Sequence, residues 1–211
     1  ITSARWLWTL RNRPELAQRT RHITTPAGWL AFQLTGEWLL GIGDAAGMFP
    51  IDQETLDYDL GLLKKYDSVA GHSTPLQTLL PQVRCAGQSG GVVDARGSAR
   101  LGLPEGIPVA PGEGDQPAAL AGSLIGEAGM ISCSFGTSVC ANSVGDRSFS
   151  GVSKAVDHFC APDGKPINMV WLRNGTTFMN SVVEMFGEAI GGNRGDGFEK
   201  VIPMLLDANP D

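Results

Sequence analysis

Two short stretches carry residue types that could do chemistry together. At 111–116 the chain reads Pro-Gly-Glu-Gly-Asp-Gln, and an Ala- and Leu-rich run follows, so Asp115 is expected at the start of a helix. A carboxylate placed there is a candidate general base, able to take the proton of an attacking hydroxyl that lies within hydrogen-bond reach. Further on, Gly136-Thr137-Ser138 interrupts two apolar runs. A turn of that composition offers backbone N–H groups and two hydroxyls, the donor set of a phosphate cradle. Each stretch also has a plainer reading, since an Asp before a helix is a common cap and Gly-Thr-Ser a common hairpin turn.

The elements that must position these groups follow from apolar runs and their breaks. Residues 107–110 read as a buried strand that stops on Pro111, Gly112 and Gly114. Asp115 would then cap a helix over 116–124, with the two glycines keeping side chains out of the carboxylate's way and supplying positive φ. Strands at 130–135 and 139–144 flank the Gly-Thr-Ser turn. Upstream, helices are expected at 4–12, 14–21 and 26–34, with Trp6, Trp8 and Trp29 in the core. A strand at 38–42 leads into a turn-rich segment around Asp44, and 55–68 reads as an amphipathic helix with Leu60, Leu62 and Leu63 on one face. A short helix at 95–101 stops at Gly102. Downstream come strands at 155–160 and 167–172, the second apolar enough to be buried on both faces, and a helix at 177–190. After a polar loop, Asp196 would cap a last helix over 197–206. The Asn174-Gly-Thr sequon and the Arg194-Gly-Asp tripeptide read as coincidences.

Composition narrows the function class. With 211 residues, 42% of them hydrophobic, the chain can bury a real core. A net charge of −6, with Arg5, Arg11, Arg13, Arg19 and Arg21 spread among apolar residues, argues against a nucleic-acid surface. The four cysteines form no CxxC pair and the three histidines lie far apart, so neither a zinc site nor a disulfide framework is suggested. No run of about 18 apolar residues points to a membrane. A reducing cytoplasm is the default expectation.

Taken together, the strand, the G-x-G-D turn, the Ala-rich helix and the S-x-G-T-S strand end at 134–138 resemble the central signature of the FGGY carbohydrate kinases. The run LGLPEGIPV at 101–109 resembles that family's lead-in to the turn, and ARWLWTL at 4–10 and PAGWLAFQLTGE at 26–37 resemble its middle section. GDAAGMFPID at 43–52 is similar to a further family segment, with Ala46 where the family usually has Ser. The opening T-S-A-R-W-L-W and the N-G-T-T segment lean towards a xylulokinase-like member.

The resemblance implies an α/β fold of the actin-like, ribonuclease-H-like kind, two domains closing on a cleft and present here as a fragment. Residues 1–122 would end the first, sugar-binding domain, and 123–211 would begin the second, nucleotide-binding one. Implied is phosphoryl transfer from ATP, with Mg²⁺, to a sugar or polyol hydroxyl. A pentulose such as D-xylulose leads, and gluconate, ribulose and glycerol stay open. Asp115 would be the catalytic base, with Gly114 and Gln116 beside it at the substrate, and Gly136, Thr137 and Ser138 would meet the β- and γ-phosphates. Asp44 would be either a structural carboxylate near the active site or a plain turn residue. Glu113 stands where the family more often has a small residue, and it is expected to point outward as an ordinary surface carboxylate. The partners implied are a small-molecule sugar and ATP, without nucleic acid or membrane, and a homodimer stays open. A non-catalytic actin-like module that binds sugar or nucleotide for regulation is the alternative, and the fragment alone is expected to be inactive.

Overall fold

The computed structural model describes residues 2–146, 153–189 and 194–208. Three helices open the chain: α1 at Thr2–Asn12, α2 at Pro14–Arg19 and α3 at Pro26–Thr35. A proline starts each of the last two, where its fixed φ suits the first turn and no N–H is missed. Thr25 caps α3, and Gly36, at φ 73°, ends it. Of the three tryptophans expected in the core, only Trp6 is buried; Trp8 and Trp29 are 57% and 56% exposed. Trp8 lies two residues beyond Trp6, which on a helix turns it to another face.

Strand β1 at Leu39–Gly41 is buried along its length and pairs in parallel with β4 at Gln82–Arg84, Leu40 opposite Val83. Where a strand to 42 and then a loop were expected, helix α4 at Ile42–Met48 begins directly after Gly41. A small antiparallel ribbon, β2 at Ile51–Asp52 with β3 at Asp57–Tyr58, follows. Helix α5 at Leu60–Ala70 therefore starts later than 55, and the Asp59 carboxylate accepts from Leu62 N–H at 2.8 Å to cap it. Of its three leucines only Leu63 is buried; Leu60 and Leu62 are exposed. Helix α6 at Ala95–Leu101 is as expected, with Asp94 as cap and Gly102 at φ 68° as stop. The run 107–110 forms no regular strand: it lies along 90–93 through bonds such as Val93 N–H to Ile107 C=O, with one bridge at Val92 and Pro108. Pro108 lacks an N–H and Pro111 follows closely, so no ladder extends.

Helix α7 spans Asp115–Gly122, and a second sheet runs β5 (Ile131–Phe135), β6 (Val139–Val144), β8 (Pro166–Leu172), β7 (Asp157–Cys160) in spatial order. β7 and β8 are antiparallel, Asp157 opposite Met169 and Cys160 opposite Pro166. The expectation that β8 is buried on both faces does not hold: Ile167 is buried, and the last three residues of the strand are exposed. Helices α8 at Thr176–Ala189 and α9 at Arg194–Asp207 close the described chain. Asp196 lies inside α9 and does not cap it; the expected polar loop falls partly on 190–193, outside the described residues.

By packing, the chain forms two compact units. The larger, Ile1–Ser132 with Asn142–Met169, is built on Leu40, Ile42, Met48 and Leu76, and a second cluster of Leu120, Val144 and Ile167 seats α7. The smaller, Cys133–Ala141 with Val170–Asp211, rests on α8 against α9, with Val183 and Val201 buried between them.

Candidate functional site

Asp115 is the first residue of α7, and the residue before it, Gly114, occupies the cap position with extended backbone (φ −74°, ψ 170°). The expectation that Asp115 is itself the cap is thereby corrected: its carboxylate accepts from the N–H of Gln116 at 2.8 Å and is exposed. An acid in the first turn is favoured by the helix dipole. The turn's glycines are needed for close approach and not for positive φ. A side chain on Gly112 would stand 2.7 Å from Ala27 C=O, and one on Gly114 would stand 3.0 Å from Asp44 Oδ1. Gly114, Asp115 and Gln116 line a cleft of about 180 Å³ with Asp44, Asn142, Phe159 and Met169.

Two carboxylates stand behind Asp115. Asp44, on the first turn of α4, accepts from Thr25 Oγ1 at 2.6 Å, so it is a structural carboxylate as well as part of the cleft wall. Burial raises its pKa; the Thr25 hydroxyl opposes this and the nearby Asp115 charge adds to it. Glu113 does not point outward. Its Oε2 accepts from Asp44 N–H at 2.8 Å and its Oε1 from Gly43 N–H at 3.2 Å. Burial pushes Glu113 up to about 7, against the pull of those two N–H groups, and the Asp44 charge adds to the rise. The earlier expectation of a surface carboxylate fails because its partners lie about 70 positions earlier in sequence, where no local signal reaches.

Two residues of the cleft, Asn142 and Cys160, and Thr25 behind Asp44 carry no mark in the sequence pattern or only a weak one. Asn142 is a buried polar residue on β6, on the same face as Val144, and the period-two alternation was the available clue. Thr25 precedes Pro26, a pattern that signals a helix cap but not its second bond to Asp44. Cys160 also lines the cleft; Gln53 Nε2 donates to its Sγ at 3.0 Å, and burial pushes its thiol up to about 11.

The Gly136-Thr137-Ser138 turn joins β5 to β6 and is exposed. Gly136 N–H donates to Ser138 C=O at 2.9 Å, which leaves one fewer free donor for a phosphate than expected. The turn is braced from the start of α8: Gly175 N–H donates to Thr137 C=O at 3.0 Å and Thr176 N–H to Gly136 C=O at 2.8 Å. The Asn-Gly-Thr run read as a coincidental sequon thus supplies the brace. Asp115, Gly114 and Gln116 belong to the larger unit, and Gly136, Thr137 and Ser138 to the smaller. Among the described residues no cluster of three or more His, Cys, Asp or Glu could hold a metal ion, and no helix is long and apolar enough to cross a membrane.

The model of the FGGY family of carbohydrate kinases, N-terminal domain, matches residues 1–122. A xylulose kinase of Streptomyces rubiginosus is 29% identical over 187 residues, covering 89% of this chain and 37% of that protein. A glycerol kinase of Alkalilimnicola ehrlichii is 34% identical over 142 residues, covering 64% of this chain and 26% of that protein. Among solved structures, the xylulose kinase from Rhodospirillum rubrum matches with a TM-score of 0.82 at 18% identity, over 100% of this chain and 41% of that one. A xyloylose kinase from Brucella ovis matches with a TM-score of 0.75 at 23% identity, over 93% and 38%. The structural likeness shows the fold, the expected actin-like α/β arrangement. The chain spans 37% of the length of the first curated relative it matches.

Proposed function

The chain belongs to the FGGY family of carbohydrate kinases, and we propose that its protein phosphorylates a sugar or polyol hydroxyl at the expense of ATP, with Asp115 as general base. The observation that carries this reading is the placement of Asp115: an exposed carboxylate at the first turn of a helix, on the wall of a cleft, in a turn tied to a second helix. Asp115 takes the proton of the acceptor hydroxyl, the acceptor oxygen bonds to the γ-phosphorus, and the bond from that phosphorus to the β,γ-bridging oxygen breaks to release ADP. Such a transition state is loose, so the protein contributes chiefly position and charge. A base in hydrogen-bond reach contributes about 10²–10⁴-fold.

Gly114, lacking a side chain, leaves the approach to Asp115 open, and Gln116 offers an amide beside it on the same cleft wall. The exposed hydroxyls of Thr137 and Ser138 are taken as the phosphate-binding end, with Gly136 shaping the turn that presents them. Mg²⁺, which the kinase reading implies, would be held mainly by phosphate oxygens. Bound there, the ion would neutralise charge on the β- and γ-phosphates. The sugar-binding domain is taken to end at 122, and the nucleotide-binding domain to begin at 123. A pentulose such as D-xylulose is the first choice of acceptor, supported by three similar proteins named xylulose kinases.

The test is acceptor-dependent ADP release by the full-length gene product against pentuloses, polyols and aldonates. Saturable turnover on one acceptor supports the reading and names the substrate. Sugar and nucleotide bound without turnover would replace it with a regulatory binding module.

A further inference from the structure

We propose that Glu113 is the positioning residue of this site: its carboxylate clamps the turn that carries Asp115 to the first turn of α4, and so fixes where the base stands. The inference rests on the reading of Asp115 as the base. Three hydrogen bonds join the turn to the end of β1 and the first turn of α4. Gly41 N–H donates to Gly112 C=O at 2.8 Å, Gly43 N–H to Glu113 Oε1 at 3.2 Å and Asp44 N–H to Glu113 Oε2 at 2.8 Å. Backbone bonding alone would tie only Gly112. The two side-chain bonds carry the tie one residue nearer the base.

The two carboxylates part at Gly114: Glu113 precedes it and reaches the N–H groups of Gly43 and Asp44, whereas Asp115 is the first residue of α7 and stands exposed on the cleft wall. The surroundings are cut to admit a glutamate. A side chain on Gly41 would collide with Glu113 Cδ, and one on Gly43 would come within 2.8 Å of Glu113 Oε2 and 2.6 Å of Pro117 Cβ. Asp44, which supplies one of the N–H groups, is itself held by Thr25 Oγ1. The clamp thus runs from the cap of α3 through α4 to the turn before α7.

Glu113 meets N–H groups and other acids rather than a cation. The ionisable groups whose fields reach it, or that feel its charge, are Asp44 on α4, Cys85 just after β4 and Cys160 on β7, and Asp115 stands two residues on. Burial raises its pKa from 4.5 to about 7. A raised carboxylate contributes stability that is fully present below about pH 4.5 and is lost as pH rises through about 7. The ionised form accepts from both N–H groups more strongly than the protonated one. Clamping and stability therefore run in opposite directions with pH, which a merely structural glutamate would not show.

The test compares wild type, E113Q and E113A of the full-length gene product. E113Q keeps the shape but sets an NH₂ group against one of the two N–H donors. We expect kcat to fall about ten- to hundredfold in both variants, the cost of a base misplaced by an ångström or less, with the KM for ATP unchanged. The wild-type kcat should rise with pH through an ionisation near 7 that E113Q lacks, while stability to denaturant falls over the same range. Amide exchange at Gly43 and Asp44, in the first turn of α4, should speed up in E113A without change in α3. Wild-type kcat in E113Q, or unchanged exchange at those two amides, would overturn the clamp. An inactive wild-type protein would overturn the kinase reading and with it the positioning of a base, whereas an active one with an indifferent Glu113 would overturn this inference alone.

Discussion

The turn before Asp115 and the turn at Gly136-Thr137-Ser138 are both glycine-bearing bends, yet they are held in opposite ways. The first is tied by a half-buried side chain, Glu113, whose oxygens close on the N–H groups of Gly43 and Asp44. The second is exposed and, among the described residues, is tied by main-chain bonds from Gly175 and Thr176. The first stands on a dense core of wholly buried residues such as Leu40 and Ile42. The second belongs to a unit whose sheet and helices leave Phe135, Leu172 and Phe178 exposed. A base must be placed to a fraction of an ångström, and side-chain bonds in a packed setting can do that. Phosphate oxygens accept donors over a broader range of directions, and a main-chain loop suffices for them.

This contrast yields graded expectations. Leu40→Ala, beneath the first turn and fully buried, should cost about 2–5 kcal/mol in denaturant unfolding of the larger unit. A cost under 1 kcal/mol would deny that the first turn rests on a tight core. Gly175→Ala should cost about 1–3 kcal/mol, since its added carbon would stand 2.5 Å from Gly136 C=O and push the main-chain brace apart. Thr25→Val removes both the cap of α3 and the bond to Asp44, and should cost about 0.5–2 kcal/mol with a measurable fall in kcat. Ser138→Ala should leave stability within about 0.5 kcal/mol, because the side chain is exposed, and should raise the KM for ATP. A Ser138→Ala protein with an unchanged KM for ATP would remove that hydroxyl from the phosphate end.

What could be read from the sequence was what local signals determine. Helix α6 and its Gly102 stop, the proline starts of α2 and α3, and β6 at Val139–Val144 all carry their cause within a few residues. The family and its fold were legible from the G-x-G-D and S-x-G-T-S runs and their spacing. The start of α4 was not, because its N–H groups find their acceptor in Glu113, far along the chain. The same distance hid the inward turn of Glu113 itself. Trp8 and Trp29 misled in the other direction, since aromatic residues at helical spacing suggest a core but do not say which face is covered. Asp115 was placed one position too early in its helix because an Asp there looks like a cap, while Gly114 holds that position.

Whether Asp115 accepts the proton of a sugar hydroxyl during phosphoryl transfer can be read by following the phosphorus. Full-length gene product and its D115N form would each be incubated with ATP, Mg²⁺ and the preferred acceptor, and the products read by phosphorus NMR. Wild type should give a new phosphomonoester resonance, and its formation should be slowed at least about 10²-fold in a D115N protein that still binds ATP. A D115N protein that makes the sugar phosphate at the wild-type rate would contradict that role.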